Sequence, residues 1–277
     1  MPFELDTSLF GNSSATRRRV HWQELWRHEL EDYARRDPVV LVSTGSVEQH
    51  GPHLPLDVDI VDAHAIASQA ATAIDEFPVL VAPPIWMGLS HYKQGHIGTI
   101  TLRFETYVEV VCDVCKSIHR NGFERIILLN GHGGNRSINQ AIAIKLAEDD
   151  IFVLPITYWD MVAELLKRES ISDGGSIGHA GEWETSLQLY LRPELVTVER
   201  SKGDPERPDL SAHTRAFASF AERLKEREGG VHGDPSFATA EKGRVLFEAA
   251  SNELIRVIRE YRRLPVRHYW EFVVEPV

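Results

Sequence analysis

The sequence predicts an α/β fold built on a mostly parallel sheet that is covered on both faces. Short apolar runs such as Val39–Val42 and Ile126–Leu129 alternate with longer segments of helical periodicity, which is typical of chains that wind back and forth across one sheet. These runs are continuously apolar, and strands of this kind are buried on both faces. Because no internal repeat or low-complexity linker interrupts them, the 277 residues are predicted to form one domain.

Six elements are predicted in the N-terminal half. Trp22, Leu25 and Trp26 lie on one helical stripe, and an alanine-rich amphipathic run follows the first strand. Pro83 and Pro84 end the second strand, because proline cannot donate a ladder hydrogen bond. In order, the predicted elements are a helix at Trp22–Arg36, strands at Val39–Val42 and Val79–Val81 with a helix at Ile60–Phe77 between them, a short strand at Thr99–Leu102, and a helix at Glu105–Asn121.

Seven elements are predicted in the C-terminal half. Apolar runs again alternate with amphipathic segments, and the helix before Pro193 stops there. The predicted elements are strands at Ile126–Leu129 and Ile151–Ile156, and helices at Ser137–Glu148, Trp159–Arg168, Glu184–Leu191, His213–Glu228 and Thr239–Arg263. In the tail at 264–277, the apolar stretch Tyr269–Val274 is expected to add an edge strand or to pack on a neighbouring subunit.

Composition excludes several classes of function. The formal net charge of −11 argues against binding to a nucleic-acid backbone or an anionic membrane surface. The sequence has no apolar run long enough to cross a bilayer and no signal-peptide core, so a cytoplasmic location is expected. The polar arm at 1–20 carries a basic triplet that is predicted to be solvated or to contact a subunit. Cys112 and Cys115 share one predicted helix and are interpreted as buried apolar residues rather than a redox pair.

The stretch Thr44–Asp59 is unusually rich in potential metal ligands. Glu48, His50, His53, Asp57 and Asp59 fall within twelve residues. Pro52 and Pro55 exclude a helix there, so the stretch is predicted to be the loop that leaves the first strand. Acidic and imidazole groups this dense favour a bound divalent metal over the alternative of a solvated polar loop.

Two further polar loops, at 130–135 and 179–184, are predicted to meet this one at the carboxyl edge of the sheet. For His132, the alternatives are a tight glycine turn or a phosphate loop, but the stretch lacks G-x-G-x-x-G and a P-loop lysine. Nitrogen and oxygen ligands without thiolate suit zinc, manganese or iron, and their number suggests two metals bridged by Asp59. The candidate ligands are Glu48, His50, Asp59, His132, Glu182 and Glu184.

Four motifs in order identify a resemblance. They are Gly45–Pro55 followed by Asp59, then Asn130–Asn135, then His179–Ser186, and finally Gly233–Ser236 with Ala238–Gly243. In these motifs, which span about residues 38–250, the chain resembles the creatininase family of metal-dependent amidohydrolases. The resemblance implies a three-layer α/β/α sandwich, two divalent metal ions per chain and a homo-oligomer, commonly a hexamer.

The resemblance also implies a ligand set. Glu48, Asp59 and His132 would hold one metal, and His50 with Asp59 the other. In creatininase itself, a glutamate two residues after the second-motif histidine completes the second site. Gly134 stands there in this chain, and Glu182 is predicted to replace that glutamate.

Departures near the third motif bear on the substrate. Creatininase has a tryptophan and an acidic residue where this chain has Gly175 and Gly178, so the expected substrate is a small, possibly cyclic amide other than creatinine. Trp159 matches a substrate-side tryptophan of creatininase, and His91 and His96 are further candidates for substrate contact.

The expected mechanism uses a hydroxide that bridges the two metals and attacks the amide carbonyl. His179 would deliver a proton to the leaving nitrogen, and Glu184 would orient His179 or accept the proton of the water, with Glu182 able to exchange roles with it. A deformylase- or peptidase-type activity would share these motifs. A non-catalytic metal-binding oligomeric protein is the other class left open.

Overall fold

The structure, a computed structural model, describes residues 19–172, 177–201 and 229–266. The helix predicted at His213–Glu228, the stretch Tyr269–Val274, Gly175 and most of the arm at 1–20 lie outside these ranges.

Four parallel strands form the sheet, in the order β2-β1-β3-β4. They are β1 (Val39–Thr44), β2 (Val79–Val81), β3 (Arg125–Asn130) and β4 (Val153–Thr157). The four strands predicted from continuous apolar runs are therefore confirmed. Pairing continues past those runs to Thr44, Asn130 and Thr157, so polar side chains stand at the carboxyl edge of the sheet.

Seven α-helices occur in the described ranges. They are α1 (Arg27–Ala34), α2 (Val58–Ala73), α3 (Phe104–Arg120), α4 (Arg136–Ala147), α5 (Ala163–Glu169), α6 (Glu182–Leu191) and α7 (Ala240–Arg263). None of the helices in these ranges combines the length and apolarity needed to cross a membrane.

The two faces of the sheet carry separate apolar cores. Val39 and Leu41 of β1 belong to a core with α2 and α7, whereas Val40 and Val42 belong to a core with α3 and α4. Successive side chains of a strand point to opposite faces, so a continuously apolar strand supplies both cores. Each such fully buried side chain contributes about 1.5–3 kcal/mol. The predicted α/β fold with helices on both faces is thus confirmed.

Three predicted elements differ in the structure. The helix predicted at Trp22–Arg36 is interrupted, because Trp26 has an extended backbone and caps α1, its N–H donating to the carboxylate of Glu29 at 2.8 Å. The helix predicted at Trp159–Arg168 starts with a 3-10 helix, Tyr158–Val162, before α5.

The prediction of a strand at Thr99–Leu102 was wrong. Only one antiparallel bridge forms there, between Val47 and Ile100. The threonine hydroxyls accept hydrogen bonds from loop backbone instead, Thr99 from Gln49 N–H at 3.1 Å and Thr101 from Ser90 N–H at 2.9 Å. The segment therefore braces the ligand-rich loop.

The two cysteines are buried on α3, as predicted for apolar residues. Burial raises the pKa of Cys115 to about 12 and also raises the pKa of Cys112. Thiolate chemistry is therefore disfavoured at both positions.

Gly243 sets how closely α7 approaches α6. A methyl group at this position would overlap the carbonyl oxygen of Ser186 on α6. We expect Gly243→Ala to lower the free energy of unfolding by about 1–3 kcal/mol, since overpacking outweighs the better helix propensity of alanine. Thermal unfolding measures this. Gly95→Ala is the control, because nothing lies within 4 Å of a methyl group there; equal melting temperatures of the two variants would contradict the packing argument.

Candidate metal centre

The ligand-rich loop is held against α2 by its own backbone. Gly45 follows β1, and a side chain there would overlap the backbone of Ile60. Glu48 N–H donates to Leu56 O at 2.9 Å, closing the loop. His50 Nδ1–H donates to Glu48 O at 3.1 Å, which leaves the lone pair of its Nε2 facing inward.

Asp59, in the first turn of α2, lies between two histidines. Its Oδ1 is 3.2 Å from His50 Nε2, and its Oδ2 is 2.8 Å from His132 Nδ1. His50 Nε2 also lies 3.6 Å from Glu184 Oε2, and His132 Nδ1 lies 3.7 Å from Glu48 Oε1. One carboxylate therefore belongs to two adjacent groups of possible ligands, Glu48 with Asp59 and His132, and His50 with Asp59 and Glu184.

The donor atoms of these groups fit divalent metal ions. All five side chains are buried, and Glu48 Oε2 has no hydrogen-bond partner among the described residues. Buried charged groups are costly unless they are paired or coordinate metals. A mixed imidazole and carboxylate set without thiolate suits zinc or manganese.

Either bound protons or metal ions can balance the negative charge of these carboxylates. Although burial opposes protonation, the charge of Asp59 raises the pKa of His50 to about 10, and Glu48 with Asp59 raises the pKa of His132 to about 9. Burial, with the nearby Asp59 and Glu48, raises the pKa of Glu184 to about 7. Metal ligands must be deprotonated, so metal binding would release protons here.

The end of β3 fixes His132. Asn130 Oδ1 accepts from His132 N–H at 3.1 Å, and Asn130 Nδ2 donates to His132 O at 2.7 Å. Gly131 passes so close to α2 that a side chain would overlap the carbonyl oxygen of Asp59. His132 Nε2 lies 3.2 Å from Leu89 O, which can accept its proton, so Nδ1 faces Asp59.

His179 lies beside both ligand groups. Its Nδ1 is 3.5 Å from Glu48 Oε1, and its ring centroid is 4.4 Å from that of His50. Its Nε2 lies 3.0 Å from Gln49 O and 3.1 Å from Gln49 Nε2. With the proton on Nε2, the ring donates to Gln49 O, and the neutral imidazole then has its lone pair on Nδ1. Burial, followed by the positive charge of Lys93, holds the pKa of His179 well below its usual range. With Glu48 and His50, it forms a third group able to hold a metal.

Glu182 is placed elsewhere than the sequence predicts. Its carboxylate pairs with Lys242 and accepts from the N–H groups of Ile171 and Ser172, each at 2.9 Å. It belongs to none of the possible metal groups among the described residues. Residues two apart on a helix do not share a face, so α6 can turn only one of Glu182 and Glu184 toward His50. That residue is Glu184, which lies beside His50 and belongs to one of the possible ligand groups.

The three residues predicted to bind substrate differ in their surroundings. Trp159 packs against the core that β1 shares with α2 and α7, edge-on to Tyr158 with the ring centroids 5.1 Å apart. His91 is exposed, and His96 is half-buried. Their roles remain predictions. Instead, the ring of Tyr92 lies parallel to that of His132 at 6.3 Å, with its hydroxyl 3.3 Å from His132 Nε2.

Two other residues of the ligand-rich loop contact α6 or the residue that follows it. His53 Nε2 is 3.0 Å from Thr185 Oγ1 on α6. Asp57 precedes α2 and accepts two hydrogen bonds from Arg192, at 2.8 and 2.9 Å. Both therefore tie the loop to α6.

Sequence reasoning missed Gln49, Lys93 and Lys242. Gln49 contacts Nε2 of His179 through its backbone carbonyl at 3.0 Å and through its side-chain Nε2 at 3.1 Å. Lys242 lies in the motif Ala238–Gly243. A lysine in a set of motifs otherwise rich in acidic residues was a usable signal for an ion pair. Lys93 lies between His91 and His96, and the two histidines were the more obvious candidates for a site in that loop.

Comparisons with known proteins agree on one family. The sequence model described as "Creatininase: Creatinine amidohydrolase" matches residues 23–258. The "Mycofactocin precursor peptide peptidase" of Mycobacterium tuberculosis is 31% identical over 266 residues, covering 92% of this chain and 98% of that protein. The "Creatinine amidohydrolase" of Pseudomonas putida is 29% identical over 251 residues, with 85% and 94% covered.

Solved structures give the same result. A mutant creatininase described as "Zn-Zn type" has a TM-score of 0.75 at 28% identity, and one described as "Creatininase Mn" has a TM-score of 0.74 at 28% identity. Each match covers 89% of this chain and 100% of the other. The family match includes every candidate ligand named above.

Proposed function

The chain belongs to the creatininase family, whose amidohydrolase character it shares, and we propose that it hydrolyses a carbon–nitrogen bond of a small amide with two divalent metal ions. The observation that carries this proposal is the position of Asp59, whose two carboxylate oxygens face different histidines. A carboxylate shared by two adjacent ligand groups suits a pair of neighbouring metal ions.

In this proposal, Glu48, Asp59 and His132 would hold one ion, and His50, Asp59 and Glu184 would hold the other. When bound, such ions would polarise the scissile carbonyl and make a nearby water more acidic. The chain contributes burial, which excludes bulk water from these groups. It also fixes each imidazole through a carbonyl that accepts the proton on its other nitrogen.

His179 moves the proton. Gln49 O holds Nε2–H, so Nδ1 accepts a proton on the side of Glu48 and passes it to the leaving nitrogen. A well-placed general acid–base of this kind contributes roughly 10²–10⁴-fold to the rate.

A peptide bond is the second candidate for the scissile bond. Its support is the 31% identity, over 92% of the chain, to a protein named as a peptidase. A panel of creatinine, lactams, N-acyl amides and short peptides separates the two candidates. Absence of metal-dependent hydrolysis across the panel would favour a non-catalytic metal-binding protein.

Metal content per chain tests the ligand set. We expect near two ions in the wild type and in Glu182→Gln, and near one in Glu184→Gln, because only Glu184 faces His50. The two glutamates are a matched pair on one helix, and glutamine preserves the size of each. Loss of an ion from Glu182→Gln alone would return the ligand role to Glu182, and fewer than two ions in the wild type would refute the two-metal site.

A further inference from the structure

Four polar side chains outside the ligand groups link helix α6 to helix α2. Arg192, the residue that ends α6, donates two hydrogen bonds to the carboxylate of Asp57, at 2.8 and 2.9 Å. Asp57 is the residue directly before α2. One turn back along α6, Gln188 Nε2 donates to Asp62 Oδ1 of α2 at 2.7 Å. We call these four residues the α2–α6 clamp.

The guanidinium group of Arg192 joins the two links into one network. It also donates twice to Gln188 Oε1, at 2.7 and 3.0 Å. Only 17% of the Arg192 side chain and 23% of the Asp57 side chain are exposed, so solvent screens the pair less than an exposed one. Arginine and carboxylate joined by two hydrogen bonds hold each other in a defined direction as well as by charge. The clamp therefore fixes α6 against α2 at two points.

The clamp lies next to the ligand group formed by His50, Asp59 and Glu184. Glu184 lies one turn before Gln188 on α6, so these two side chains share a face of the helix. Asp59 lies two residues after Asp57, in the first turn of α2. The distance from Glu184 to Asp59 and His50 therefore depends on how α6 packs against α2, which the clamp sets.

The other ligand group takes no residue from α6. Its Glu48 comes from the ligand-rich loop and its His132 follows β3, and only Asp59 is common to both groups. Metal affinity depends on residues that hold the ligands in place as well as on the ligands themselves. A looser contact between α6 and α2 should therefore weaken the binding of one ion and spare the other.

We propose that Arg192 is a positioning residue for the ion that His50, Asp59 and Glu184 would hold. It acts through the position of Glu184 and is not itself a ligand. This deepens the proposed function and rests on its two-metal site. The contact of His53 with Thr185 of α6 does not involve the clamp, so α6 should stay in place when Arg192 is replaced.

Two backgrounds that each remove one ligand group test the proposal. Glu48→Gln keeps the group that includes Glu184, whereas Glu184→Gln leaves only ligands outside α6. The affinity of metal-free protein for Zn²⁺ is measured by calorimetry in each. We expect Arg192→Met to weaken Zn²⁺ binding at least about tenfold in the Glu48→Gln background and less than about twofold in the Glu184→Gln background. Adding Asp57→Asn to Arg192→Met should change little further, because both variants break the same pair.

Controls separate this role from a general loss of stability. Arg256→Met removes a comparable set of hydrogen bonds from the exposed face of α7 and should change neither affinity. Equal weakening in both backgrounds would overturn the proposal and make Arg192 merely structural, and unchanged affinity in the Glu48→Gln background would overturn it as well. If Arg192→Met does not fold, Asp57→Asn alone makes the same comparison. The proposed function fails separately, if the wild type binds fewer than two ions or hydrolyses no amide.

Discussion

Replacing Asp59 by asparagine is expected to remove both metal ions and to lower kcat/KM by at least about a thousandfold. The carboxylate of Asp59 has one oxygen toward each ligand group, and an amide offers one weak oxygen ligand and one N–H₂ donor in its place. Metal ions supply several kcal/mol of transition-state stabilisation, and each 1.36 kcal/mol is a factor of ten in rate. Metal content and steady-state kinetics on the best amide of the panel give the two readouts.

Asp62→Asn is the matched control, because Asp62 lies one turn along the same helix and is equally buried. Burial, together with the negative charge of Glu184, raises the pKa of Asp62 well above its usual range, which favours the neutral form of its carboxyl group. Asparagine keeps the oxygen that accepts from Gln188 at 2.7 Å. We expect near two metal ions and activity within about threefold of the wild type. If Asp59→Asn also keeps both ions, Asp59 is not the bridge.

The sheet could be predicted from sequence because burial on both faces leaves a direct record in residue type. Val39–Val42 and Ile126–Leu129 must be apolar at every position to supply two cores. Thr99–Leu102 has equally good strand propensity, yet its threonine hydroxyls accept hydrogen bonds from loop backbone, at Gln49 of the ligand-rich loop and at Ser90. Propensity does not reveal which partner a backbone segment meets, so that strand was wrongly predicted.

The density of His and acidic residues marked the ligand loop, but it did not set the orientation of α6. With the helix predicted to start at Glu184, Glu182 fell on a loop, where its direction was unconstrained. The structure starts α6 at Glu182, and helical geometry then separates the two side chains. Lys242, which pairs with Glu182, lies 60 residues further along the chain. Such a long-range pair is set by tertiary packing, which one sequence does not display.

The second large effect is expected for His179→Gln, which should lower kcat by roughly 10²–10⁴ while metal content stays near two. Glutamine can still donate to Gln49 O but cannot carry a proton from the water to the leaving nitrogen. His232→Gln is the control, since His232 pairs with His179 through backbone hydrogen bonds of 3.0 and 2.7 Å, with ring centroids 6.0 Å apart. Its loss should change kcat by less than about tenfold, because its role does not include proton transfer.

The basicity of the leaving group shows whether the deficit of His179→Gln lies in proton delivery. An alkyl amide must be protonated at nitrogen before it departs, whereas a 4-nitroanilide leaves a far less basic nitrogen. The loss caused by His179→Gln should therefore be much smaller on the anilide than on the alkyl amide, with KM similar for both proteins. An equal loss on the two substrates would contradict proton delivery. If metal content then fell as well, His179 would be a ligand, as its place beside Glu48 and His50 also permits.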